Sequence, residues 1–318
     1  MLKYFARKLL TILPMLIAIS VIVFAALELS PMDPINYLIS PEMSTDSANI
    51  EALRNLYGLN DPLVVRYFRW LWNMLRGDFG YSIVDGSSIA TLIAMKLPAT
   101  FELSLIALIV STLLGISIGI ISAIKQNSIV DYVGRFFGVA GISMPQFFFG
   151  IVLIQFFAIS LGWLPIGGRI GVDSKTFWSR VPNLVLPSLA LGISMTAALL
   201  RYARNSMLDV LGKDYIKTAR SKGIPEWKVY LKHGFRNALG PTLVIIAFRL
   251  PLLIGGSVMI ETVFSWPGIG SVLLAAVSSN DYPVIMMTTM MIAVAILLSS
   301  LLIDLVMALL DPRIRFEQ

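Results

Sequence analysis

Apolar runs of bilayer-crossing length recur along this 318-residue chain and restrict its fold more than any other feature. A helix needs about 20 apolar residues, each rising about 1.5 Å, to cross a membrane core. Six stretches meet that need, at about 9–29, 101–124, 136–160, 183–200, 241–261 and 284–309. With 57% hydrophobic and only 14% charged residues, the chain cannot clothe a soluble globule. The same numbers exclude disorder, which requires a polar chain. The expectation is an all-α membrane protein with six transmembrane helices. Lys3, Arg7 and Lys8 resemble the charged start of a signal peptide. The apolar run from Leu9 to Leu27 nevertheless exceeds the roughly 7–15 residues of a cleaved segment, so it is read as a retained span.

Basic residues divide unevenly between alternate loops. One set carries Lys3, Arg7 and Lys8, then Lys125 and Arg135, a dense run from Arg201 to Arg236, and Arg313 with Arg315. The other carries Arg54, Arg66, Arg69, Arg76 and Lys96, then Arg169, Lys175 and Arg180, half as many over more residues. Positive loops stay on the cytoplasmic side. Both termini are therefore expected inside. Residues 1–100 read as the first span plus a helical external insertion, and 101–318 as a five-helix core that includes a cytoplasmic hairpin at 201–240.

In the external segment, Asp46 is expected to cap a helix that Gly58 stops. Asp61-Pro62 should open a second helix closed by Gly77, with Asp61 as its cap. That helix places Val64, Tyr67, Phe68, Leu71 and Leu75 on one face, which suits packing against the spans or docking of an external partner. Within the spans, Gly115-x-x-x-Gly119 and Gly134-x-x-x-Gly138 have the spacing that lets helix backbones approach closely. Pro145 and Pro251 should kink their spans or mark hinges. Arg249 lies inside a span, where an ion costs about 2.5–3.5 kcal/mol, so it is expected either to line a pathway or to join a structural ion pair. Asp304 and Glu261 lie near span ends and are expected to reach the interface.

The segment 201–240 is the most informative. Gly212 should interrupt the fourth span's extension. Asp214 should cap a short helix ending at Gly223, and Pro225 should start another running toward Gly240-Pro241. The result is a basic helix–turn–helix, and its Ile216, Ala219, Ile224, Trp227 and Leu231 give it apolar surface to bury against something in the cytoplasm.

Catalytic chemistry has no residues to carry it. The chain has no cysteine and one histidine, His233. It contains no phosphate-binding G-x-x-x-x-G-K-[S/T] loop, no G-x-S-x-G elbow and no H-E-x-x-H helix. The Gly-x-Gly of Trp266-Pro-Gly-Ile-Gly270 follows a membrane span and lacks a strand–helix setting. No cofactor or metal site is expected.

Taken together, several motifs resemble the permease subunits of bacterial ATP-binding-cassette importers of the oligopeptide/dipeptide/nickel group, over nearly the whole length. They are Tyr57-Gly-Leu-Asn-Asp-Pro62, Gly77-Asp-Phe-Gly-Tyr-Ser82, Lys96-Leu-Pro-Ala-Thr-Phe-Glu-Leu103, Ser143-Met-Pro145, Glu261-Thr-Val-Phe-Ser-Trp-Pro-Gly-Ile-Gly270, Asp281-Tyr-Pro283 and Leu310-Asp-Pro-Arg-Ile-Arg315. The resemblance implies a type I importer permease fold and an E-A-A-x-x-x-G coupling motif in the hairpin. Here that motif reads Lys217, Thr218, Ala219 and, four on, Gly223, with His233-Gly-Phe-Arg-Asn-Ala-Leu-Gly-Pro241 following. Lys217 stands where the family has glutamate. The coupling residues so implied are Asp214, Ala219, Arg220, Gly223, His233, Arg236 and Asn237. Pro145, Arg249, Pro251 and Glu261 are candidates for the pathway or its gating.

The resemblance further implies a second homologous permease chain, two ATPase subunits that bind ATP and Mg, an extracytoplasmic substrate-binding protein and a bacterial inner membrane. The expected substrates are di- or oligopeptides, with nickel, nickel chelates or glutathione as alternatives. Leu164-Pro-Ile-Gly-Gly-Arg169 leans toward the peptide group. A self-sufficient secondary transporter or channel is the competing class, but it predicts an inverted repeat that the sequence does not display.

Overall fold

The computed structural model describes residues 2–29, 51, 60–169 and 177–310. The helix expected from Asp46 and the tail motif beyond Leu310 lie outside them. Among the described residues, four helices contain apolar windows long enough to cross a membrane: Leu10–Glu28, Ile89–Ile124, Trp178–Leu211 and Tyr282–Ile303. A fifth such segment is a bent pair, Ile129–Ser143 with Gln146–Ser160. The apolar stretch at 241–261 is not one helix but two, Arg236–Ala247 and Leu250–Val263.

The chain forms two compact units. One comprises Met1–Thr100 with Pro267–Leu297. Its first helix, α1 (Leu2–Glu28), turns Leu10, Leu13, Ile17 and Ile22 outward. Helix α2 (Leu63–Leu75) rests on α1 through a hydrogen bond between the Ser20 and Tyr67 hydroxyls and an Arg66–Glu28 ion pair. Asp61 does not cap α2. Pro62 occupies the cap position, and the Asp61 carboxylate instead pairs with Arg69 at 2.7 Å. Of the predicted face, Tyr67 packs inward and Val64, Phe68 and Leu75 are exposed.

Helix α3 (Ile89–Ile124) begins well before the expected span and runs for 36 residues. Its start packs Ile89 and Ile93 against Ile269 and Ala276 of α11 (Ile269–Ser278) and Val284, Ile285 and Met287 of α12 (Tyr282–Leu310). Two quoted motifs meet here. The Ser82 hydroxyl donates to buried Asp281 at 2.5 Å, and Ile83 N–H donates to the same carboxylate.

The other unit comprises Phe101–Trp266 with Leu298–Gln318. Helix α4 (Ile129–Ser143) starts at Ser128, whose hydroxyl accepts from Asp131 N–H. It stops at Met144-Pro145 because the proline ring holds Met144 extended, at φ −90° and ψ 128°. Helix α5 (Gln146–Leu153) leaves at 115° to α4 and continues as a π-helical stretch, Ile154–Ser160. Pro145 is therefore a sharp break rather than a mild kink.

Helix α6 (Phe177–Leu211) is the buried axis of this unit, with Leu186, Ala190, Leu191, Met195, Leu199 and Met207 almost inaccessible. The glycine spacings work as expected. A β-carbon on Gly115 would stand 2.7 Å from Leu199 Cβ, and one on Gly119 would stand 2.5 Å from the Leu200 carbonyl oxygen. On α4, Gly138 and Gly141 likewise face α6. Where α6 runs on past the apolar stretch, fully buried Asp131 of α4 receives Arg204 of α6 through two hydrogen bonds, 2.6 and 2.8 Å long. A second knot holds Glu102 between Arg169 at 2.7 Å and Arg180 at 3.6 Å. Beside it, Gly168 N–H donates to the Phe264 carbonyl.

Candidate functional site

Beyond Leu211 the chain folds into the basic hairpin. Helix α7 (Asp214–Ser221) begins one residue earlier than a cap at Asp214 requires. Asp214 is its first helical residue, and its carboxylate accepts from Lys217 Nζ at 2.9 Å. The turn depends on Gly223, whose φ of +72° is open to glycine and strained for other residues. No atom lies within 4 Å of where its β-carbon would be, so the requirement is one of backbone conformation alone. Gly223 N–H donates to the Arg220 carbonyl and Ile224 N–H to that of Ala219, closing the helix end. Pro225 then opens α8 (Glu226–Lys228), which passes through a π-helical stretch, Val229–Phe235, into α9 (Arg236–Ala247).

Two latches hold the arms together. Ile216, Ala219 and Val229 form a small buried core with Val210, Leu211 and Ile224 around it. Across the turn, Arg220 grips Glu226 with Nε at 2.8 Å and Nη2 at 3.2 Å. That grip, seconded by the Tyr230 hydroxyl, holds the Glu226 carboxyl below its ordinary range. The same hydrogen bond from the other side, helped by burial, pushes the Tyr230 phenol up.

The return arm is fastened to α6. Ser206 Oγ donates to the Ala238 carbonyl, Ala238 and Met207 share a buried cluster with Ala123, and Gly234 leaves room for Met207. Asn237 Nδ2 donates to the His233 carbonyl, His233 is half-buried and Arg236 is exposed. Of the five apolar residues read from the sequence as an outward surface, Ile216 and Ala219 turn inward. Trp227 and Leu231 are exposed, joined by Tyr215, and Lys228 lies 5.3 Å from the Trp227 ring centre. Sequence reasoning missed Glu226, Tyr230, Val229 and Tyr215. Arg220 and Glu226 stand six positions apart across a turn, and no helical periodicity marks such a pair.

The residues proposed for the pathway occupy different settings. Pro145 sits at the α4–α5 bend. Arg249 and Pro251 flank the start of α10 (Leu250–Val263), after a turn at Phe248–Arg249 that separates it from α9. Glu261 does not reach an interface. It is fully buried, accepts from Ser257 Oγ at 3.0 Å, and its backbone carbonyl receives Trp266 N–H. The Asp304 side chain lies outside the described residues.

Apolar helices of membrane-crossing length, with a self-packed basic hairpin on the buried helix α6, define a helical membrane protein. Residues 115–316 match the family of binding-protein-dependent transport system inner membrane components, and residues 1–104 match that family's N-terminal region. The chain is 40% identical over 318 residues to the oligopeptide transport system permease protein AppB of Bacillus subtilis (strain 168), covering 99% of this chain and 100% of the relative. It is 38% identical over 317 residues to the glutathione transport system permease protein GsiC of Salmonella paratyphi A, covering 100% of both. Among solved structures it resembles the inward-facing MetNI methionine ABC transporter, with a TM-score of 0.54 at 15% identity over 69% of this chain and 96% of that one. The chain belongs to the binding-protein-dependent inner membrane components, as a multi-pass ABC importer permease of the peptide group in the cytoplasmic membrane.

Proposed function

We propose that this subunit conducts di- or oligopeptides inward across the membrane, through six spans with both termini in the cytoplasm. On this reading the pair α9 and α10 counts as one broken span, and the 1–100 and 101–318 segments are the first span with its external insertion and the five-helix core. A second permease chain, two ATPase subunits binding ATP and Mg, and an external substrate-binding protein complete the machine. The names of the relatives support peptide as the substrate class. Glutathione, named in GsiC, is itself a tripeptide and falls within the same chemistry.

The observation that carries this reading is the hairpin. It is latched internally by Arg220–Glu226 and fixed to α6 by Ser206–Ala238 and Met207–Gly234, so a displacement at its tip moves the axis helix rather than a loose loop. Its tip and outer face present Tyr215, Trp227 and Leu231 among exposed lysines, suited to a groove on an ATPase. Asp214, Ala219, Arg220, Gly223, His233, Arg236 and Asn237 shape this handle. The breaks at Pro145 and at Arg249–Pro251 are the places where spans can change angle between outward- and inward-open states. The chemistry of fuel consumption belongs to the partners. The test is reconstitution in liposomes, where the chain alone is expected neither to hydrolyse ATP nor to accumulate peptide, and the chain with its partners to do both. Robust peptide uptake by the chain alone overturns the proposal.

A further inference from the structure

Arg249 is the single charged residue between Pro241 and Ile260. It is half-buried at the turn between α9 and α10. Its guanidinium has no carboxylate partner or hydrogen-bond acceptor among the described residues. Arg66, Arg69, Arg169, Arg180, Arg204 and Arg220 each lie against a carboxylate. Arginine does not shed its proton in proteins, so the charge persists. In hydrocarbon such an ion is strongly disfavoured, so it must face water or an anion. Its neighbours Phe248 and Leu252 are largely exposed and apolar, so the guanidinium is the one charged group on that exposed stretch. A guanidinium in that setting matches a carboxylate, which it can hold by two parallel hydrogen bonds.

Resting on the peptide-importer reading, we propose that Arg249 contacts the terminal carboxylate of the peptide in transit. The subunit thereby passes peptides with a free C-terminus in preference to amidated ones.

The test uses the complete importer in proteoliposomes, with trialanine and trialanine amide as probes. Wild type is expected to take up the free acid about tenfold faster than the amide, the size of one charge-assisted hydrogen bond. Arg249→Gln should bring the acid-to-amide ratio down to about one, whatever its overall rate, and Arg249→Lys should keep most of the preference. Because every variant works with the same binding protein, a change in the acid-to-amide ratio belongs to this chain. The absence of cysteine adds a measurement that does not depend on transport. The thiol of Arg249→Cys in the assembled importer should react with an anionic, water-borne methanethiosulfonate. An unchanged ratio in Arg249→Gln overturns the proposal, as does a thiol at this position that water-borne reagents cannot reach. ATP-dependent uptake of neither probe by wild type overturns the importer reading itself.

Discussion

Replacing Asp131 with asparagine keeps the shape of a buried side chain and removes its charge. The wild-type carboxylate accepts from Arg204 Nε and Nη2 at 2.6 and 2.8 Å and from Asn127 N–H at 3.0 Å, with Arg135 at 3.8 Å. Asp131 is fully buried and the Arg204 side chain is only 13% exposed, so water cannot substitute for the lost partner. Charge-assisted hydrogen bonds contribute about 1.5–3 kcal/mol each, and stripping one member from a buried pair costs about 3–5 kcal/mol. The lower end applies here, because the amide side chain of Asp131→Asn would retain one acceptor. Asp131→Asn and Arg204→Gln are each expected to destabilise the protein by about 3 kcal/mol, and the double variant by about 2 kcal/mol less than their sum. Unfolding in mixed micelles titrated with dodecyl sulfate, followed by tryptophan fluorescence, measures all four corners of the cycle. If the single effects add to within about 0.5 kcal/mol, the pair is not coupled and the account of how α4 grips α6 fails.

Gly119→Val should destabilise by about 3 kcal/mol, because its β-carbon meets the Leu200 backbone, which cannot step aside. Gly223→Ala meets no atom and should cost only about 1 kcal/mol, through its φ of +72°; the same titration reads both. Trp227→Ala and Tyr215→Ala should leave the fold intact, since both side chains are exposed, yet cut peptide-stimulated ATP hydrolysis of the assembled importer about tenfold or more. The hairpin latch should also set a pH window. The Glu226 carboxyl is depressed below 4.5 and the Tyr230 phenol raised above 10.0, so the latch is whole between those values. It weakens as pH falls through the folded Glu226 value, and again as pH rises through the folded Tyr230 value. Hydrogen exchange over 214–235, corrected for intrinsic rates, should show no loosening between about pH 6 and 9, and a titration inside that range would contradict it.

Much of this architecture was legible because its determinants are local. Gly212, Gly223 and Pro225 punctuate the hairpin in sequence order, and Pro145 breaks a helix by geometry that needs no neighbour. The glycine spacings were legible as close-approach signals but not as to partner, which only packing supplies. What stayed hidden was pairing at long range. Ser82 with Asp281 and Glu102 with Arg169 join motifs far apart in sequence, and no periodicity links them. Asp61 and Asp214 have the sequence signature of caps and fail to cap for a related reason. Each has a basic residue within reach, Arg69 or Lys217, and pairs with it while no side chain caps either helix. The inward turn of Ile216 and Ala219 escaped the sequence because an amphipathic arm buries its apolar face against its own return arm before any partner is present.

Small Ala219 at the centre of the coupling sequence suggested a helix brought close to an ATPase, but here it sits beside Ile216 and Val229 inside the hairpin. Its size sets the distance between the two arms, and the arms in turn present Tyr215 and Trp227. Enlarging Ala219 would then spread the handle rather than obstruct the docking groove. Lys217, exposed and paired with Asp214, occupies the outer face where the related motif carries glutamate. If the hairpin docks on an ATPase as proposed, the charge of that face is free to vary with the partner, while a change among the inner residues Ile216, Ala219 and Val229 should loosen the handle.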